Sequence, residues 1–176
     1  ALKLADSMSP CVLWLAGVEK GVAGQSNGDG TSQRVLGTLL TWMAEKKQPV
    51  FIVATSNNIA NLPPEFIRKG RLDEIFFVDL PDEKTRSDIF SIHLSKRKQD
   101  PAAFDLKALA TASSGFSGAE IEQAVVAATY TALGQGLSLH TAGLLDELAC
   151  TKPIAVLMAE DIAMLRQWAA GRTVPA

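Results

Sequence analysis

The sequence predicts an α/β unit followed by a small all-α unit, and three observations carry that expectation. Two short apolar runs, Pro10–Leu15 and Val50–Ala54, have the length and residue types of strands covered on both faces in a parallel sheet. Between them, Leu36, Leu39, Leu40 and Met43 fall on one helical face, as in a helix packed on a sheet. From Pro81 onward the pattern is helical throughout.

Taken in order, Leu2–Ser7 reads as the tail of a helix, and with Ala1 as the first residue the chain is expected to be a fragment or a processed form. Gly21–Gly30 has no periodicity and no apolar anchor, so it is expected to be a flexible loop, with Thr31 or Ser32 capping the next helix. Glu74–Leu80 is expected to form a third strand. Asp82 can cap a helix running toward Lys98, with Ile89, Ile92 and His93 on a shared face. Asp105–Ala112 forms a short second helix. Ser117 and Glu120 have the spacing of a capping box, followed by a stripe of Ile121, Ala124, Val125, Ala128 and Ala132. Thr141–Ala149 and Met158–Ala170 complete the expected bundle.

Composition narrows the function. With 47% hydrophobic and 20% charged residues and a net charge of -2, the chain reads as an ordinary globular protein with no electrostatic case for a nucleic-acid partner. No apolar run approaches the ~18 residues of a membrane span. Cys11 and Cys150 lack metal-ligand spacing and read as thiols in a reducing compartment, the cytoplasm. His93 lies on an apolar helical face and reads as a core or interface histidine. His140 has no partner at nucleophilic or metal-binding spacing. Trp14, Trp42 and Trp168 read as packing residues, since no basic stripe accompanies them.

Four motifs follow one another: a strand running into Asn57; Arg68-Lys69-Gly70-Arg71-Leu72-Asp73; Phe76-Phe77-Val78-Asp79-Leu80-Pro81-Asp82; and Gly115-Phe116-Ser117-Gly118-Ala119-Glu120. The series resembles the second region of homology and the helical lid of AAA+ ATPases. Thr31-Ser32-Gln33-Arg34, Leu40-Thr41-Trp42 and Gly118-Ala119-Glu120-Ile121-Glu122-Gln123 resemble, within that family, the cyanobacterial and chloroplast open-reading-frame type. The resemblance implies the later strands of an αβα P-loop sheet over residues 1–80 and a lid over residues 81–176, with a boundary near Leu80 and Pro81.

It also implies site residues. Asn57 stands at the position called sensor 1, which senses the γ-phosphate or places the attacking water. Arg68 and Arg71 match arginine fingers that reach the nucleotide of the next subunit; alternatively each pairs locally with Asp73 or Glu74. Gly118 and Ala119 match small residues beside adenine and ribose, and no second sensor arginine is present there. Gly21–Gly30 either borders a central pore or is a plain connection.

Hydrolysis in this class needs a phosphate cradle with a lysine, a hydroxyl and an aspartate for Mg²⁺, and a carboxylate for water. The chain contains no G-x-x-x-x-G-K-[ST]. Its match to the Walker B strand carries Ala16 and Gly17 where the family has consecutive Asp and Glu, and neither can hold a metal ion or accept a proton. Glu19 is the only carboxylate nearby. The resemblance therefore implies ATP and Mg²⁺ in the parent family, and neither bound nor hydrolysed by this chain alone. The expected context is ATP-dependent remodelling of a protein partner by a homo-oligomeric ring, a hexamer in the family, without membrane or nucleic acid. A non-catalytic assembly or regulatory subunit is the alternative. Clamp loading or helicase work gains nothing from this charge balance.

Overall fold

The β-branched and large apolar residues of Cys11–Leu15 (β1) and Val50–Ala54 (β2) form two strands paired in parallel, Cys11 opposite Val50 through Leu15 opposite Ala54. The structure, a computed structural model, describes residues 1–19, 30–59, 62–68 and 70–176, with the side chains of 30–33 and 175 not described. The expectation of a loop or pore segment over Gly21–Gly30 thus lies, apart from Gly30, outside the described residues. Two compact units emerge: Ala1–Phe76 with Gly171–Val174, and Phe77–Ala170 with Pro175–Ala176.

In the first unit, Leu2–Ser7 (α1) precedes β1, and Gly30–Glu45 (α2) connects the two strands. Thr31 and Ser32 fall within α2, and the expectation that one of them caps it rests on side chains outside the described ones. Leu36, Leu39, Leu40 and Met43 pack with Ile52, Ala54, Leu62 and Phe66, as their helical spacing requires. The Trp42 indole N–H donates to both oxygens of Asp6 (2.9 and 3.0 Å), which ties α2 to α1.

The expectation that both faces of the strands are covered does not hold among the described residues. Among the described residues α2 packs on the face carrying Ile52 and Ala54, and side chains alternate along a strand. The other face leaves Val12, Trp14 and Phe51 67–70% exposed, so Trp14 is not a packing residue here.

The third strand is also shorter than expected. Only Phe76–Phe77 (β3) is in strand conformation, paired with Val174–Pro175 (β4) at the C-terminal end. The pairing runs from Val174 N–H to the Ile75 carbonyl (2.9 Å) and from Ala176 N–H to the Phe77 carbonyl (3.3 Å), and beyond it the Leu80 N–H donates to Asp79 Oδ1 at 2.7 Å.

The second unit is a helical bundle of Glu83–Lys96 (α3), a 3₁₀ turn at Pro101–Ala103, Leu106–Ala112 (α4), Gly118–Gly134 (α5), Thr141–Cys150 (α6), Ile154–Leu157 (α7) and Ala159–Ala169 (α8). Asp82 accepts from the Thr85 N–H and Asp105 from the Ala108 N–H, so both helices start at acidic caps. Phe90, Leu94, Leu109, Phe116, Ile121, Val125, Leu144 and Leu148 form the core. The buried row of α3 is Arg86–Phe90–Leu94 at intervals of four, and Ile92 points outward at 51% exposure, against expectation. α3 stops short of Lys98, whose φ of 59° turns the chain left-handed. At the entrance to this unit Asp79 forms a bidentate pair with Arg166 of α8 (2.8 Å), which holds the Asp79 carboxyl below its ordinary pKa.

The Gly115–Glu120 motif has a structural explanation for most of its letters. Ser117 and Glu120 form a complete capping box at the start of α5: Ser117 N–H donates to Glu120 Oε2 at 2.7 Å, and Glu120 N–H to Ser117 Oγ at 3.3 Å. The second carboxylate oxygen, Oε1, accepts from the Ile154 N–H at 2.8 Å and so anchors α7. Gly115 has φ +80°, and a Cβ there would stand 2.9 Å from Ala155 Cβ.

Gly115→Ala should therefore destabilise this unit by about 2 kcal/mol or more, combining left-handed strain with overlap against α7. Denaturant unfolding should show a lower midpoint at an unchanged slope; an unshifted midpoint would mean that α7 gives way freely.

His93 provides a second check. It is half-buried, with Nδ1 3.4 Å from Glu122 Oε1 but not hydrogen-bonded to it. Desolvation pushes its pKa below the ordinary value, opposed by Glu122 and aided by Lys96 and Arg97. The folded state thus prefers the neutral ring, and this preference is fully present above the unfolded value of about 6.5 and lost as pH falls through it toward the folded value. Thermal midpoints taken from about pH 7 to about pH 5 should fall less in His93→Gln than in the parent; parallel curves would contradict the assignment.

Candidate functional site

Parallel pairing makes both strands end at the same level, and in open α/β sheets ligands sit beyond such carboxyl ends. Here the two ends are joined by three hydrogen bonds. Thr55 N–H donates to the Leu15 carbonyl at 2.9 Å, and Val18 N–H donates to the Thr55 carbonyl at 3.0 Å. Gly17 N–H donates to Thr55 Oγ1 at 3.2 Å. Gly17 has φ +62°, so β1 finishes in a left-handed turn held against the end of β2. Ala16 is exposed. Two residues beyond Thr55, Asn57 is exposed in the loop where Asn58 N–H donates to Ser56 Oγ at 3.2 Å.

Thr55 went unnoticed in the sequence. A hydroxyl directly after an apolar run, at the strand end, was the available signal.

The chemistry of this end does not fit a hydrated Mg²⁺ ion, which wants oxygen ligands from carboxylates or phosphates. Ala16 and Gly17 have no side-chain oxygen, and Thr55 Oγ1 already accepts from Gly17. Glu19 is 7% exposed, and its Oε2 is sealed from solvent with no hydrogen-bond partner among the described residues. Among the described residues no group of three His, Cys, Asp or Glu side chains could hold a metal ion.

The arginine segment hangs from Leu62 and Phe66, both buried in the first unit. Arg68 is exposed. Gly70 has φ +93°, and the turn closes through Arg71 N–H to the Arg68 carbonyl at 3.1 Å. The half-buried Arg71 directs Nη1 to the Glu65 carbonyl. Among the described residues neither arginine forms an ion pair with Asp73 or Glu74.

Gly118 and Ala119 belong to the other compact unit, in the first turn of α5. A Cβ on Gly118 would meet Ile89 Cδ1 at 3.5 Å, an ordinary contact, so internal packing does not require glycine there. Ala119 is exposed. His140 is exposed at the start of α6, its Nδ1 3.0 Å from the Ser138 carbonyl. Two hollows in the first unit lie elsewhere: one along α2, lined by Asp6, Thr38, Thr41, Trp42 and Lys46, the other at the amino ends of the strands beside Pro10 and Phe51. No helix among the described residues is long and apolar enough to cross a membrane.

Residues 1–80 match the family model described as ATPase family associated with various cellular activities (AAA), and residues 103–146 match the AAA+ lid domain. The chain is 43% identical over 171 residues to a protein of Guillardia theta named uncharacterized AAA domain-containing protein ycf46, a match covering 96% of this chain and 34% of that protein. Proteins of the same name from Pyropia yezoensis and Trieres chinensis are 43% and 44% identical, again over 96% of this chain, and over 35% and 34% of their own lengths. The chain therefore spans about a third of the length of these relatives, 34–35%.

Thr55→Val keeps the shape of residue 55 and removes the acceptor of the Gly17 N–H. It should cost about 1 kcal/mol in chemical denaturation, the usual net value of one such bond; no loss would show that the hydroxyl contact does not hold the turn.

Proposed function

The chain belongs to the AAA ATPase family, and from that premise we propose that it supplies trans-acting arginines and a lid to a ring that remodels a protein partner with ATP. The observation that carries this reading is the state of Arg71. It sits in a glycine turn, its Nη1 rests on a backbone carbonyl, and no described carboxylate neutralises it. A guanidinium held in this way keeps its charge and donors available for phosphate oxygens of an adjoining copy. Arg68, exposed on the same turn, is the second candidate, and Asn57 at the end of β2 is the residue suited to a γ-phosphate or water within its own subunit. Gly118 and Ala119, at the start of α5, would let a base and ribose approach the lid.

A second reading, that the chain acts as a non-catalytic assembly or regulatory subunit, is favoured by Ala16 and Gly17 in place of the Walker B carboxylates. Both readings share one expectation: this chain alone does not complete an ATP site. Calorimetric titration with Mg·ATP should give no saturable heat, whereas a micromolar dissociation constant would require a phosphate site outside the residues named above.

Arg71 separates a finger from a structural residue by the size of its effect. A finger supplied in trans is worth ~10³-fold or more in rate, while an exposed arginine costs ~1 kcal/mol or less when removed. Arg71→Ala subunits mixed into a hydrolysing ring of a relative should abolish most turnover at the neighbouring sites with the thermal midpoint unchanged. A lowered midpoint with intact turnover per site would make Arg71 structural.

A further inference from the structure

Gly17 occupies the position where the family places a carboxylate, and its backbone geometry goes beyond the loss of a side chain. We infer that position 17 is closed to that carboxylate, so that the end of β1 cannot be returned to metal binding by restoring Asp and Glu at positions 16 and 17. The inference rests on the reading of Leu15–Gly17 as the Walker B strand end.

At φ +62° an L-residue brings its Cβ against the following carbonyl, so glycine is favoured there over alanine and glutamate alike. The turn has little freedom to escape into another conformation. Leu15, Gly17 and Val18 are each hydrogen-bonded to Thr55, through its N–H, its hydroxyl and its carbonyl respectively, over 2.9 to 3.2 Å. Rotating Gly17 to negative φ would break the Thr55 Oγ1 contact or the Val18 contact. A glutamate placed there must therefore either accept the left-handed conformation or dismantle the turn that would hold it.

Nor does Glu19 take over the role. Its Oε2 is sealed from solvent and the whole side chain is 7% exposed, so a hydrated cation arriving at the strand ends does not reach that oxygen.

The experiment compares Gly17→Ala, Gly17→Glu, Gly17→Asn and the double variant Ala16→Asp/Gly17→Glu by thermal unfolding, and titrates each with Mn²⁺ and with Mn·ATP in a calorimeter. Gly17→Ala and Gly17→Glu should lower the midpoint alike, by roughly 4–8 °C, because the strain belongs to the backbone and not to the charge. Gly17→Asn should lose clearly less, since asparagine tolerates the left-handed region. The double variant should give no saturable heat with Mn²⁺ or Mn·ATP.

If glutamate leaves the midpoint unchanged, if asparagine costs as much as alanine, or if the double variant binds Mn²⁺ at micromolar concentration, the inference is wrong. Should Gly17→Glu fail to fold, the alanine and asparagine pair still decides the conformational claim. Failure of the broader reading looks different: saturable Mg·ATP binding by the unaltered chain would overturn the expectation of an incomplete site without touching the variant series.

Discussion

Parallel pairing of Cys11–Leu15 with Val50–Ala54 is the constraint on which the functional geometry depends. Two parallel strands in register must finish side by side, which places Ala16, Gly17 and Thr55 together although 38 positions separate Gly17 from Thr55 in sequence. The connection between them has to cross over, and α2 does so while burying Leu36, Leu39, Leu40 and Met43 against the sheet. Once the strands end together, the polar groups of the next few residues have no ladder to continue. Thr55 absorbs them with its amide, its carbonyl and its hydroxyl, and the result is a rigid turn instead of an open mouth.

In the helical unit the corresponding role belongs to one carboxylate. Glu120 accepts from its own cap through Oε2 and from Ile154 through Oε1, so the start of α5 and the start of α7 are fixed by one side chain. This explains why the motif has Ser117 and Glu120 at capping-box spacing and why Gly115 precedes it: α7 can approach only where no Cβ stands in the way. The lid motif is thus read largely as architecture. Gly118 is the exception, because the contact a Cβ would make there is ordinary, and its small size is not explained by packing within the unit.

What the sequence makes legible follows from how local each determinant is. Caps at Asp82 and Ser117, the stripe on α5 and the strands at Cys11–Leu15 and Val50–Ala54 depend on residues within a turn or two of one another, and all are readable. The short β3 was not, because its partner Val174 lies far along the chain from it. Nor was α7, a single turn whose anchor is a carboxylate 34 positions earlier. Covering of both sheet faces was inferred from apolar content alone, yet Val12, Trp14 and Phe51 are as apolar as the buried residues and stand exposed. At the site, Ala16 and Gly17 could be read as missing chemistry; the left-handed φ of Gly17 and the part played by Thr55 could not, since both arise only when the two strands meet.

The separation of these two features bears on what the chain can do. The strand ends are joined by hydrogen bonds between Thr55 and Leu15, Gly17 and Val18, one of them through the Thr55 hydroxyl, while the arginine turn is held by hydrogen bonds to the carbonyls of Glu65 and Arg68; Val18 shares the apolar cluster of Leu62 and Phe66. No hydrogen bond among the described residues joins Arg68 or Arg71 to the Gly17 turn. On the proposed reading, Arg71 is offered to a neighbour by hydrogen bonds of its own, from its Nη1 to the Glu65 carbonyl and from its N–H to the Arg68 carbonyl, and neither of these involves residue 16 or 17.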